Sequence, residues 1–394
     1  MHKKYSPVQP PKRLLMGPGP SMVEPRVYAA MAQPVVGHLD PYFFEIMEDV
    51  HSLLAQVYGT NNHFTMAISG TGSAGMEAAV SNFVEDGSKL AVFASGFFAD
   101  RIAEMGRRQG AQVVRLEKPW GVTFSADESR DFIKREKPNV VAYVHAETST
   151  GAVNPGEVIC EAAREVGALT IADCVTSLGT MPVEVDRTGI DIAYSCSQKG
   201  LGAPPGLSPL TASARAMEWL HKRTTQNHSW YLDLKLLDEY FGASHRYHHT
   251  APISMFYALR EALVVVSEEG LEQRYERHRR NHLAFVAGME AMGMSMHVAA
   301  GHRLPALNTP VVPAGIEDMK IRKRLLDGDG IEILGGFGPL AGKVFRVGIM
   351  GAGSTKENVL LLLEKMEDAL KAEGYAAPAS GRAAAEKYYT SRLT

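Results

Sequence analysis

The stretch Asp191-Ile-Ala-Tyr-Ser-Cys-Ser-Gln-Lys199-Gly-Leu-Gly202 decides how this chain reads. It opens with a short apolar strand, Ile192 to Tyr194, and ends in one lysine followed by Gly200 and Gly202. Shortly before it stands Ile171-Ala-Asp173, a second apolar strand that ends in an acid. A primary amine on a loop of small residues beside an acid at a neighbouring strand tip can hold and tune an electrophilic ring. On spacing alone the pair reads equally as a surface lysine after a strand and a helix-capping aspartate, a frequent combination in α/β folds.

The flanking sequence supplies the context. Phe64 to Ile68 is a short apolar strand, and Ser69-Gly70-Thr-Gly72-Ser73-Ala-Gly75 after it runs straight into a helix former. A loop ending at a helix N-terminus offers free N–H groups to an anion. The spelling Gly70-x-Gly72-x-x-Gly75 also fits a dinucleotide fingerprint, but that motif wants an acid about 20 residues on, at the next strand tip. The next strand, Leu90 to Ala94, ends in Ser95-Gly96 instead, so a single phosphate is the better guest. Phe97-Phe98 then reads as a pair of exposed-looking aromatics at a strand end, one able to stack on a flat ring, or as two core residues.

From there strands are predicted at Gln112 to Leu116, Val140 to His145, Leu169 to Ala172, Ile192 to Tyr194 and Leu207 to Leu210. Helical stretches fall between most of them, at Asp100 to Gln109, Ser129 to Arg135 and Glu157 to Val166. This alternation predicts an α/β fold with a mainly parallel sheet and helices on both faces. Such sheets bind ligands beyond the carboxyl ends of their strands. Those tips collect Thr71-Gly72-Ser73, Phe98, Thr148, Asp173 and Gln198-Lys199: an anion cup, an aromatic, a hydroxyl, an acid and an amine. Together they are what pyridoxal 5′-phosphate (PLP) requires, a lysine for its aldehyde and an acid to keep its pyridine nitrogen protonated.

With 394 residues the chain suits roughly two to three domains. Its 41 basic and 44 acidic side chains leave a net charge of −3, which excludes the basic field that nucleic acid demands. No apolar run approaches the ~20 residues of a spanning helix. The N-terminus shows no signal-peptide pattern and Ser391-Arg-Leu-Thr394 is not a peroxisomal address, so a cytoplasmic location is expected. Three cysteines, Cys160, Cys174 and Cys196, without a Cys-x-x-Cys pair, suit a reducing compartment and give no structural metal site.

The expected organisation is an N-terminal arm at 1–13, a large domain at 14–265, a smaller α+β domain at 266–375 and a tail, helical or loose, at 376–394. Phe44, Ile46, Met47, Val50, Leu53, Leu54 and Val57 form the apolar stripe of a long helix. His248 and His249 read as part of a polar loop, and Arg277-His-Arg-Arg280 as a solvated helix face. Arg346, between apolar neighbours in a strand, needs an anion or a route to water. No second arginine is expected to face the site, which disfavours a dicarboxylic donor.

Taken together, the chain resembles the class V, fold-type I, PLP-dependent aminotransferases, most of all the alanine–glyoxylate and serine–pyruvate (serine–glyoxylate) group. The matching segments are Gly17-Pro-Gly-Pro-Ser21, Ser69-Gly-Thr-Gly-Ser73, His145-Ala-Glu-Thr-Ser-Thr-Gly151, Ala172-Asp-Cys-Val-Thr-Ser177, Ser195-Cys-Ser-Gln-Lys-Gly200 with Ala203-Pro-Pro-Gly206, Tyr247-His-His-Thr250, and Gly335-Gly-Phe-Gly-Pro339 with Gly342-Lys-Val-Phe-Arg-Val-Gly348. They run in order over roughly residues 14–370.

The resemblance implies a role for each position. Lys199 would form the internal aldimine and shuttle a proton, Asp173 would pair with the pyridine nitrogen, and Val175 and Phe98 would cover the two ring faces. Thr71, Gly72, Ser73 and Gln198 would hold the phosphate, with Tyr247 and Thr250 reaching in from the second subunit of a homodimer. Thr148 would sit beside the ring oxygen or the substrate, Gly19 would line the substrate side, and Arg346 would grip the substrate carboxylate. The reaction implied is a ping-pong transfer of an amino group from alanine or serine to a 2-oxo acid, glyoxylate or pyruvate. Members close to the animal enzymes carry Trp in place of Phe98 and His in place of Ser73. Ureidoglycine–glyoxylate transamination of purine breakdown is the alternative within the family; its members tend to carry Asn in place of Tyr247 and Gln in place of His38. A nucleotide-binding dehydrogenase and a non-catalytic binding protein are the alternatives outside it.

Overall fold

Leu90 to Ala94 and Val140 to Val144 carry no charged residue, as suits strands covered on both faces. The computed structural model, which describes residues 5–242 and 244–391, buries both completely. The outermost parts of the expected arm and tail, residues 1–4 and 392–394, lie outside the described residues.

In chain order the strands are β1 (Leu14–Leu15), β2 (Phe64–Ser69), β3 (Lys89–Ala94), β4 (Gln112–Glu117), β5 (Val140–Val144), β6 (Ala146–Glu147), β7 (Ala152–Val153), β8 (Leu169–Asp173), β9 (Ile192–Tyr194), β10 (Leu207–Ala212), β11 (Leu307–Asn308), β12 (Ile331–Glu332), β13 (Leu334–Gly335) and β14 (Phe345–Gly348). Seven of them form the main sheet in the order β2-β10-β9-β8-β5-β3-β4. β10 runs antiparallel to both its neighbours, and the other neighbouring pairs are parallel. Alternate residues part into two cores, with Leu90, Val92 and Ala94 of β3 in one and Ala91 and Phe93 in the other. Helices Gly72–Phe83 and Phe97–Arg108 cover the first core; helices Pro41–Tyr58, Gly156–Glu165 and Ile253–Glu269 cover the second. In the 41–58 helix Phe43, rather than Phe44, is the fully buried phenylalanine.

A third core lies around the small sheet β11-β14-β13 and holds Phe285, Phe345, Val347 and Leu363. Met16 enters this core, because β1 pairs in parallel with β12 rather than joining the main sheet. Residues Gly381–Ser391 form a helix whose Tyr389 hydroxyl donates to Asn281 Oδ1 at 2.7 Å, so the described part of the tail is docked.

Two expectations are corrected here. The Arg277 cluster does not simply coat a solvated helix face. The Glu269 carboxylate receives Arg274 Nη1 at 2.5 Å and Arg277 Nε at 2.5 Å. Arg274 in turn donates to the carbonyls of Gly179 and Gly200, and Arg277 to those of Gly351 and Ser354. One acid and two arginines therefore tie the loops after β8, β9 and β14 together. His248 and His249 are buried, not solvated. Their Nδ1 atoms lie 2.8 Å apart, His249 Nε2 meets Ser69 Oγ at 2.7 Å, and Trp230 stacks on His248 at 4.2 Å. Burial is tolerated because the ring nitrogens find polar partners.

Replacing Glu269 by Ala leaves Arg274, only 3% exposed, without its counter-charge. The expected cost is on the order of 3 kcal/mol or more, read as a lowered denaturant midpoint. An unchanged midpoint would mean that the backbone carbonyls alone suffice to hold the two guanidinium groups.

Candidate active site

The carboxyl ends of β2, β3, β5, β8 and β9 open on one edge of the main sheet, where a cavity of about 350 Å³ lies. Its wall includes Gly19, Thr71, Gly72, Ser73, Phe98, Thr148, Asp173, Val175, Gln198 and Lys199. Ten of the thirteen sequence-predicted site residues therefore meet in one place. Arg346 stands on β14, off the cavity wall, and Tyr247 and Thr250 are exposed outside it.

Lys199 lies on the turn after β9, and its backbone is held at several points. Ser21 Oγ donates to the Lys199 carbonyl at 2.7 Å, and Ser21 N donates to that of Gln198 at 2.9 Å. The Nζ donates to the Pro18 carbonyl. Gly19 sits against the lysine chain; a Cβ there would come 2.7 Å from Lys199 Cε, and its φ of +123° also favours glycine. Burial lowers the pKa of the amine, with the positive field of Arg346 adding to the shift.

Asp173 ends β8 and is 2% exposed. Val175 N donates to Oδ1 at 2.9 Å, and the hydroxyl of Tyr194 donates to Oδ2 at 2.8 Å. Tyr194 stands directly opposite Asp173 in the β8–β9 register. Burial pushes the carboxyl up to about 6, against the pull of those two donors. Thr148 and Thr176 share a short hydroxyl contact on the same wall.

Of the phosphate-cup candidates, Thr71 is the N-cap of helix Gly72–Phe83, without a side-chain cap bond, and Gly72 and Ser73 are the first residues of that helix. A Cβ at Gly72 would lie 3.0 Å from that of Cys196 and 3.4 Å from Val175 Cγ2, so glycine lets this loop close onto the strand tips. Gln198 Oε1 is buried with no hydrogen-bond partner.

Phe97 and Phe98 open helix Phe97–Arg108 rather than ending a strand. Gly96 starts it without a side-chain cap, which left the boundary illegible in the sequence. Phe98 lines the cavity and meets Phe97 edge to face at 5.4 Å, so it is not a plain core residue. Arg346 is 8% exposed, its Nε donates to the Gly335 carbonyl at 2.8 Å, and its guanidinium lies 4.2 Å from the centroid of Phe337. Burial lowers its pKa to about 10. Among the described residues, no carboxylate stands in salt-bridge range of Arg346 or of Asp173's neighbour Lys199.

Sequence reasoning missed Arg101, Tyr194 and Glu147. Arg101 lines the cavity and corrects the expectation that no second arginine faces the site. Its signal was the three-residue step from Phe98, visible once the helix is known to begin at Phe97. Glu147 is 1% exposed, receives Ser149 N at 3.0 Å and is raised by burial to about 7.

Residues 19–357 match the family described as aminotransferase class-V. The chain belongs to the class V aminotransferases. It is 38% identical to alanine–glyoxylate aminotransferase of Callithrix jacchus over 93% of this chain and 89% of that one. Among solved structures it resembles alanine–glyoxylate aminotransferase from Nostoc sp., with 47% identity and a TM-score of 0.92 over 93% of this chain and 98% of that one. It also resembles ureidoglycine–glyoxylate aminotransferase from Bacillus subtilis, with 38% identity and a TM-score of 0.96 over 98% and 100%.

As a class V aminotransferase the chain is a transaminase acting on amino acids and 2-oxo acids, and its cofactor is PLP. The cavity suits that cofactor. A buried acid whose pKa burial has raised gains from a protonated ring nitrogen beside it. A loop of N–H donors at a helix start suits the phosphate end, and the Gln198 side chain on the same wall carries an NH2 group able to donate to it. No described helix is long and apolar enough to cross a membrane.

Proposed function

We propose that this aminotransferase moves the amino group of alanine or serine to glyoxylate, in two half-reactions of a ping-pong cycle. The reading rests on Lys199 and Asp173 facing one cavity, with Arg346 near enough for its charge to act on Lys199 and with no carboxylate among the described residues in salt-bridge range of it. Bound PLP supplies a carbonyl that takes up the amine and an electron-poor ring that withdraws electrons from the substrate carbon.

The chain's own groups do the rest. Lys199 Nζ, made less basic by burial, would take the proton from the substrate α-carbon and hold it for return. Asp173, fixed by Val175 N and Tyr194, keeps the ring nitrogen protonated. Val175 and Phe98 would cover the ring faces, Thr71, Gly72, Ser73 and Gln198 would hold the phosphate, and Thr148 would sit beside the ring oxygen or the substrate. Arg346, braced by the Gly335 carbonyl and the Phe337 ring, presents its paired nitrogens to the substrate carboxylate. Tyr247 and Thr250 lie outside the cavity of their own chain, which suits a homodimer in which each subunit completes the other's phosphate cup. Three buried cysteines, all free, suit the cytoplasm.

Alanine or serine is preferred to ureidoglycine because His38 and Tyr247, whose rings stand 5.1 Å apart, occupy positions where ureidoglycine enzymes tend to carry Gln and Asn. The test is a set of half-reactions with alanine, serine, ureidoglycine, aspartate and ethylamine, read as loss of the bound cofactor's visible band. Alanine and serine should react at least tenfold faster than the others, and ethylamine, lacking a carboxylate for Arg346, should react slowest. A fastest reaction with ureidoglycine would transfer the assignment to that substrate.

A further inference from the structure

Arg101 sits on the helix Phe97–Arg108, one turn on from Phe98 and on the same face. It lines the cavity, and its Nη1 donates to Ser73 Oγ at 3.0 Å. Its guanidinium lies 5.0 Å from the centroid of Phe98 and 5.2 Å from that of Phe97. The carboxylates nearest in sequence are engaged elsewhere: Asp100 with Arg115, and Glu104 with Arg107 and Arg108. Among the described residues no acid stands within salt-bridge range of Arg101. The aromatic rings hold the guanidinium plane, one edge reaches Ser73, and the charge faces the cavity, where it acts on Asp173 without forming a salt bridge.

The other donors at the phosphate end are neutral: two hydroxyls, backbone N–H groups and one carboxamide. A helix start contributes about half an elementary charge. A phosphate monoester near neutral pH brings nearly two negative charges. Neutral donors leave much of that charge uncompensated, and a guanidinium matches it in both sign and geometry.

We propose that Arg101 is the cationic member of the phosphate cup, binding the cofactor phosphate through the edge that now meets Ser73 while Phe98 keeps its place under the ring. This rests on the cofactor site described above. Ser73 is the hinge of the arrangement: its hydroxyl sets the approach of Arg101 and is small enough to leave the phosphate room.

The test compares two ligands on the cofactor-free protein, PLP and pyridoxal, which share the ring and differ by the phosphate. Affinities are measured by quenching of protein fluorescence, independently of turnover. Arg101→Met should weaken PLP roughly 10- to 100-fold, as for one lost charge-assisted contact, and change pyridoxal affinity less than about twofold. Arg101→Lys should recover most of the loss, whereas Arg101→Gln, which keeps a donor to Ser73 but no charge, should not. The Lys and Gln variants carry the comparison if the Met variant does not fold. Equal PLP affinity in the Lys and Gln variants overturns the proposal. So does parallel loss of PLP and pyridoxal, which would make Arg101 a packing residue for Phe98. Failure of the unsubstituted protein to bind either ligand would instead overturn the cofactor site itself.

Discussion

Replacing Lys199 by Ala lowers turnover by roughly 10⁴-fold or more, with the cofactor removable by dialysis. The size follows from what else lines the cavity. The other charged groups on its wall are Asp173, which is committed to Tyr194 and Val175, and Arg101, whose guanidinium nitrogens are all donors. The wall thiol of Cys196 is kept protonated by burial, which pushes it up to about 12, so among the described residues no other wall group stands ready to take a proton from the substrate carbon and the loss is not shared out among neighbours. Steady-state assays and single half-reactions with alanine check it, and a small added amine such as methylamine should recover part of the rate. A variant within tenfold of the parent would remove Lys199 from the chemistry.

Asp173→Asn has two effects of opposite sign. Turnover falls by roughly 10²-fold or more, as for loss of a preorganised charge in a closed site. The cofactor-free protein, however, becomes more stable at pH 8. The carboxyl of Asp173 stands at about 6 in the folded chain against an ordinary 3.8. Its neutral form is thus favoured by folding; that stability is fully present below pH 3.8 and is lost as the pH rises through about 6. Above that the ionised acid costs about 3 kcal/mol at most. Asn escapes the charge but offers one acceptor to the two donors Val175 N and Tyr194, which costs about 1 kcal/mol. A net gain of about 2 kcal/mol at pH 8 is expected, vanishing near pH 4. Denaturant melts of both cofactor-free proteins at the two pH values check it. Equal stability at pH 8 would mean that the acid is relieved within the chain itself, as by the charge of Lys199.

The main sheet was legible because strands buried on both faces are apolar along nearly their whole length, so Leu90–Ala94 of β3, β5 and most of β8 stand out against amphipathic helices. The site was legible for a related reason. Strand tips that receive a ligand carry small, polar residues where the chain leaves the core, and Gly70 to Ser73 and Ser195 to Lys199 have that composition. Tyr194 was not legible, since at the end of an apolar strand nothing marks it as a donor until β9 is laid beside β8 in register with Asp173. Arg277 misled for the opposite reason. A run of basic residues is usually solvated, but here two carbonyls of one distant loop, after β14, turn toward it. His248 and His249 misled likewise, because Trp230 and Ser69 arrive from remote segments to satisfy them.

The order of the residues by itself determined the α/β class, the seven strands of the main sheet, the lysine and the acid, because each follows from local periodicity or from a short run of residue types. Only the tertiary structure decided that Arg101 enters the cavity, that β1 belongs with β12, and that Glu269 binds three loops together. Those facts depend on the directions in which side chains leave distant segments, and a direction in space is set by packing, which no local pattern records.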